Sequence, residues 1–116
     1  MKAVMYHYVR DFNIDFPFYN TVTRKNFLKD INKFKKKGLL SNYNELFKPN
    51  NKIILTFDDG FKEHLWTAEI LNKNKSFGIY FIPTKPLLNN EILDVHKTHL
   101  ILGKINGKTC LEELKK

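Results

Sequence analysis

The stretch Ile53-Ile54-Leu55-Thr56-Phe57-Asp58-Asp59-Gly60 constrains the fold more than any other part of this chain. Five apolar or β-branched residues in a row read as a buried strand, and the run stops on two adjacent carboxylates. A buried strand that ends in charge has its end at a solvent-accessible mouth. Successive side chains of extended backbone point to opposite sides, so Asp58 and Asp59 are expected to face different neighbours. Gly60 then lets the backbone turn sharply into the helical pattern that follows.

The rest of the chain arranges itself around that strand. Residues 3–9 read as a first strand that ends near His7, and 11–20 as a loop. A helix over 23–37 places Phe27, Ile31 and Phe34 on one face and closes on Lys33, Lys35, Lys36 and Lys37 before Gly38. Ser41 is the expected cap of a short helix through Phe47, broken by Pro49 ahead of the central strand at 52–57. A helix from about Lys62 turns Leu65, Ala68, Ile70 and Leu71 inward and ends in the polar run 72–75. A third strand over 77–82, a loop over 83–90, a helix over 92–102 and a short basic tail complete the reading. Alternation of β and α units predicts parallel pairing with helices outside. Any site then belongs at the carboxyl ends of the strands, with the 53–57 strand in the middle.

Three segments together resemble one family. The string ILTFDDG matches the first motif of the polysaccharide deacetylases, the NodB-type carbohydrate esterases of family 4. Val4-Met5-Tyr6-His7-Tyr8-Val9 looks like the first strand of that family, and Phe77-Gly78-Ile79-Tyr80-Phe81-Ile82-Pro83 is similar to its next strand. The resemblance implies an α/β fold, the amino-terminal half of a distorted (β/α) barrel with about three parallel strands and outer helices. It implies a metal-dependent hydrolase that removes N-acetyl groups from a carbohydrate. Carried across by position, Asp58 is the general base and Asp59 a ligand of a divalent metal, zinc by the resemblance.

The family's two histidine ligands lie in an HxxxH motif, and here the chain departs from the pattern. It offers His96 and His99, an HxxH pair that still shares one helical face. Mixed with Val95, Leu100, Ile101 and Leu102, the same pair also reads as two ordinary histidines of a partly buried helix. The later strands of the family, with an arginine, an aspartate-tryptophan pair and a late histidine, have no counterpart after His99. The expectation is therefore a partial NodB-like domain over 1–116, inactive alone, with an exposed strand edge and apolar face. The alternative is a noncatalytic α/β remnant that binds carbohydrate or a partner chain. A phosphoacceptor receiver domain fails on order, since only about two βα units follow Asp59 where such domains need about four.

Composition narrows the classes further. A chain of 116 residues is too short for a closed barrel of eight units, while 42% hydrophobic content is that of a folded domain. Twenty Lys and Arg against 12 Asp and Glu give +8, but the basic residues are dispersed and the densest run completes a helix end. No nucleic-acid partner is expected. Cys110 is alone and reads as a plain thiol. No apolar run reaches the length of a membrane span, and Arg10 and Asp11 arrive too early for a signal sequence, so a cytoplasmic location is the default expectation. His7 stands at the strand end where a substrate or metal contact belongs. His64 follows Glu63 without completing HExxH, and Trp66 reads as packing.

Overall fold

A computed structural model describes all 116 residues. Its contacts divide the chain into two units, residues 1–10 with 22–82, and residues 11–21 with 83–116.

The first unit is built on three parallel strands, β1 (Lys2–Tyr6), β2 (Ile53–Asp58) and β3 (Gly78–Phe81), in the spatial order β1-β2-β3. The expected parallel pairing and the central place of the 53–57 strand are both present. Register sets Tyr6 opposite Phe57 and Phe57 opposite Tyr80. Residues aligned across a sheet share a face, so these three rings stack in a row, with centroids 5.7 Å apart for Tyr6–Phe57 and 4.7 Å for Phe57–Tyr80.

Helix α1 (Arg24–Lys36) carries β1 to β2, and α2 (His64–Lys73) carries β2 to β3. Strands added in sequence order through right-handed crossovers put both helices on one side of the sheet. The core lies there: Phe27 and Ile31 of α1 and Leu71 of α2 pack with Tyr6, Leu55 and Phe57, and every one of these is buried. Thr23 caps α1 by accepting from the Asn26 amide at 3.1 Å, and Lys33, Lys35 and Lys36 fill its last turn, where positive charge offsets the helix dipole. Gly78 is a packing requirement, since a Cβ there would lie 2.7 Å from the Phe57 ring.

The opposite face of the sheet is more open. Met5 and Phe81 are 60% and 56% exposed, and Phe81 and Asp58 are register partners on that face. β1 and β3 each pair only with β2, so both are sheet edges. This agrees with the exposed strand edge and apolar face expected from the sequence.

Several local expectations are corrected. Ser41 caps no helix; it is buried, and a single 3₁₀ turn over Tyr43–Glu45 follows, its entry fixed by the Asn42 amide donating to Glu45 Oε2 at 2.9 Å. α2 turns His64, Thr67 and Leu71 inward, and Leu65 is 71% exposed. Polar side chains can take inward positions when their hydrogen bonds are made locally, as the Thr67 hydroxyl does by donating to the His64 carbonyl at 2.8 Å.

The second unit is helical. The segment 83–90, expected as a loop, contains α3 (Thr84–Asn89). Its Pro86 is tolerated because it sits in the first turn, where amides lack an intrahelical acceptor anyway. α4 (Asp94–Lys104) realises the expected helix, and the basic tail folds as α5 (Gly107–Leu114), capped by Asn106 accepting from the Thr109 amide at 2.9 Å. The segment 11–21 packs on α4: the Phe18 amide donates to the Gly103 carbonyl at 2.9 Å, and a Cβ on Gly103 would run into the Tyr19 ring.

Candidate functional site

Asp58 is the last residue of β2, and the chain leaves extended geometry immediately after it. Asp59 has φ +77° and Gly60 φ +64°. A left-handed residue breaks the alternation that an extended chain imposes, so the two carboxylates do not diverge as expected. Asp58 Oδ2 and Asp59 Oδ2 each lie 4.0 Å from His7 Nε2. The correction has a physical source in one dihedral angle, and its consequence is a cluster of two acids and one imidazole at the carboxyl ends of β1 and β2.

These separations are ion-pair distances rather than direct hydrogen bonds. The imidazole is half exposed and the two carboxylates are more sheltered. Asp58 Oδ1 is buried and has no hydrogen-bond partner.

The loop that carries the acids is held against the segment after β1 by contacts the sequence does not announce. Arg10 Nε donates to Glu63 Oε1 at 2.6 Å, and the Arg10 guanidinium lies 4.9 Å from the Tyr8 ring centre and 5.3 Å from that of Phe61. Tyr8 and Phe61 are themselves 4.4 Å apart. A cation held beside two packed aromatic rings and a carboxylate is a well-determined position. Next to Glu63, the buried His64 ring places Nε2 2.7 Å from the His7 carbonyl oxygen. Arg10, Glu63 and Phe61 carry no local signal; Arg10 and Glu63 are opposite charges far apart in sequence, and only the parallel topology joins them.

Gly60 completes the turn under two constraints. Its φ is left-handed, and a Cβ at this position would meet Ile82 Cγ2 at 2.9 Å. The glycine predicted to free the chain for a sharp turn is therefore also fixed by the approach of the residue after β3.

His96 and His99 lie on α4, in the second unit, while Asp59 belongs to the first. On α4 the more sheltered stripe runs His96, His99, Leu100 and Gly103, with Val95 and Ile101 exposed. Nearby, Lys97 donates to Asp94 at 2.9 Å, which holds the Asp94 carboxyl below and the Lys97 ammonium above its ordinary range. No group of three or more His, Cys, Asp or Glu side chains is arranged to hold a metal ion. Cys110 is a free thiol on α5.

A hollow of about 490 Å³ lined by Met1, Lys2, Leu39, Asn51 and Ile53 opens at the amino-terminal end of the sheet, away from the acids. Another of about 350 Å³ lies along the lysine-rich face of α1. Neither is lined by Asp58, Asp59 or His7. No helix is long and apolar enough to cross a membrane.

Compared with known proteins, the chain matches no family model, no curated protein sequence and no solved structure.

Proposed function

We propose that the chain contributes the amino-terminal strands of a NodB-type carbohydrate N-deacetylase, a hydrolase that releases acetate from an N-acetylated sugar. The observation that carries this reading is the convergence of Asp58 and Asp59 on His7 at the carboxyl end of the central parallel strand. Two carboxylates beside an imidazole at that end of a βα sheet suit proton transfer during amide hydrolysis.

In this reading Asp58 is the general base. Its carboxylate accepts a proton from water as the water oxygen attacks the acetamide carbon. The same proton then goes to the departing nitrogen as the C–N bond breaks, which leaves acetate and a free amino sugar. The His7 imidazole stands beside both carboxylates, 4.0 Å from each.

The resemblance assigns a divalent cation, zinc, to Asp59, His96 and His99. It would polarise the acetamide carbonyl. Asp59 belongs to the first unit and His96 and His99 to the second, and no step is drawn through the metal. The second reading is a noncatalytic α/β unit that binds carbohydrate or a partner chain.

The test is acetate release from N-acetylglucosamine oligomers with added zinc. The 116 residues alone are expected to release none, because half the barrel wall that would fix oxyanion donors is absent and losing even one such donor costs about 100-fold to 1000-fold. A form lengthened by further βα units is expected to release acetate and to lose that activity with Asp58→Asn. Full activity in the lengthened Asp58→Asn variant would overturn the base assignment. Oligomer binding with no hydrolysis by either form would favour the second reading.

A further inference from the structure

The proposed site has its acids on one chain segment and its imidazole on another, and a neighbouring dipeptide links the two. His64 opens α2, and its ring is buried, with centroids 5.3 Å from Phe57 and 5.6 Å from Phe61. Its Nε2 lies 2.7 Å from the His7 carbonyl oxygen. A carbonyl only accepts, so Nε2 carries the proton and donates. Nδ1 is then the bare nitrogen, and it is buried without a hydrogen-bond partner. Glu63, the preceding residue, accepts from Arg10, three residues beyond His7.

We infer that Glu63 and His64 are positioning residues that hold residues 7–10 at two points, the Arg10 guanidinium and the His7 carbonyl, and thereby aim the His7 imidazole at Asp58 and Asp59. Both act through the segment that carries His7. The inference rests on the proposed site but not on any particular substrate. The orphaned Nδ1 supports it. Burying a ring nitrogen with no partner costs stability, and an apolar residue would fill this aromatic pocket without that cost, so the single bond to His7 is what a histidine adds here. Thr67 reinforces the arrangement by fixing the His64 main chain, its hydroxyl 2.8 Å from the His64 carbonyl.

The experiment is imidazole nitrogen-15 spectroscopy on the full 116-residue chain, with the signals of its four histidines assigned by single substitutions. His64 is expected to show a protonated Nε2 and a bare Nδ1; a proton on Nδ1 instead would overturn the inference. In the parent chain Asp58→Asn should shift the His7 signals. In a His64→Leu background that response should be lost, and His64→Gln, whose amide can replace the donor, should restore it. A response that survives His64→Leu undiminished would end the positioning role while leaving the acid-imidazole cluster intact. No response in the parent chain would end both, because the cluster itself would be absent. Should His64→Leu fail to fold, Glu63→Gln and Arg10→Gln release the other clamp point on a partly exposed pair, and an unchanged His7 response in both would be equally fatal.

Discussion

The Tyr6 hydroxyl donates to Asp30 Oδ2 at 2.9 Å, and this bond ties the last residue of β1 to the middle of α1. Burial, and after it the hydrogen bond to Asp30 and the Asp30 charge, push the Tyr6 phenol well above its ordinary value of 10.0; burial also raises Tyr80. A phenol whose pKa is higher in the folded than in the unfolded chain binds its proton more tightly when folded. The associated stability is complete below the unfolded value and is lost as pH rises from about 10 toward the folded value. Denaturant midpoints should therefore fall steeply above about pH 10, and Tyr6→Phe should flatten that fall while it lowers stability at neutral pH by about 1 kcal/mol. An unchanged alkaline slope in Tyr6→Phe would contradict the assignment.

Gly60→Ala tests the turn behind the acids. A left-handed alanine costs about 1–2 kcal/mol, and its Cβ would press on Ile82. With a further ~1–2 kcal/mol for overpacking, urea denaturation should show a loss of roughly 2–4 kcal/mol. Gly38 has a similar φ but nothing within 4 Å of its Cβ position, so Gly38→Ala should cost less.

Asp59→Gly should behave differently. The aspartate holds φ +77° with a side chain that glycine would not have to accommodate. Relief of the left-handed strain should offset the added freedom of the unfolded chain and leave stability within about 1 kcal/mol of the parent. Equilibrium unfolding provides the check. A larger drop would mean that Asp59 has a structural role and would weaken its assignment to the site.

Phe57→Ala should bring the chain close to unfolding. The ring is fully buried between Tyr6 and Tyr80 and meets Phe27 at 6.0 Å, so its removal should cost about 3–5 kcal/mol. Phe57→Leu keeps most of the volume and should cost clearly less. Circular dichroism melts of the two variants separate the cases.

The sheet was legible because Ile53 to Phe57 can only be buried as a strand in a chain of this size, and because Phe27, Ile31 and Phe34 repeat at helical spacing. Asp58 at the strand mouth follows from the same run. The direction of Asp59 is not legible, since nothing in the composition of Asp-Asp-Gly says which residue first turns left-handed. The facing of α2 departs from hydropathy for a related reason: hydropathy points Leu65 inward, whereas the buried stripe is set by His64, bonded to the His7 carbonyl after β1, and Thr67, bonded to the main chain of its own helix. The capped α5 hid within a basic tail because its signal is a single Asn106. The Arg10–Glu63 pair had no local trace.

The register of the sheet also sets an order of assembly. Leu55 meets Gly78 across the span of one helix, whereas Lys2 must find Ile53 across more than twice that separation, and chain closure disfavours the longer search. β2 and β3 should thus zip together first and β1 should dock last. Asp58 and Asp59 ride on the early pair and His7 on the latecomer, so the two acids wait through most of folding for the imidazole that brings the cluster into being.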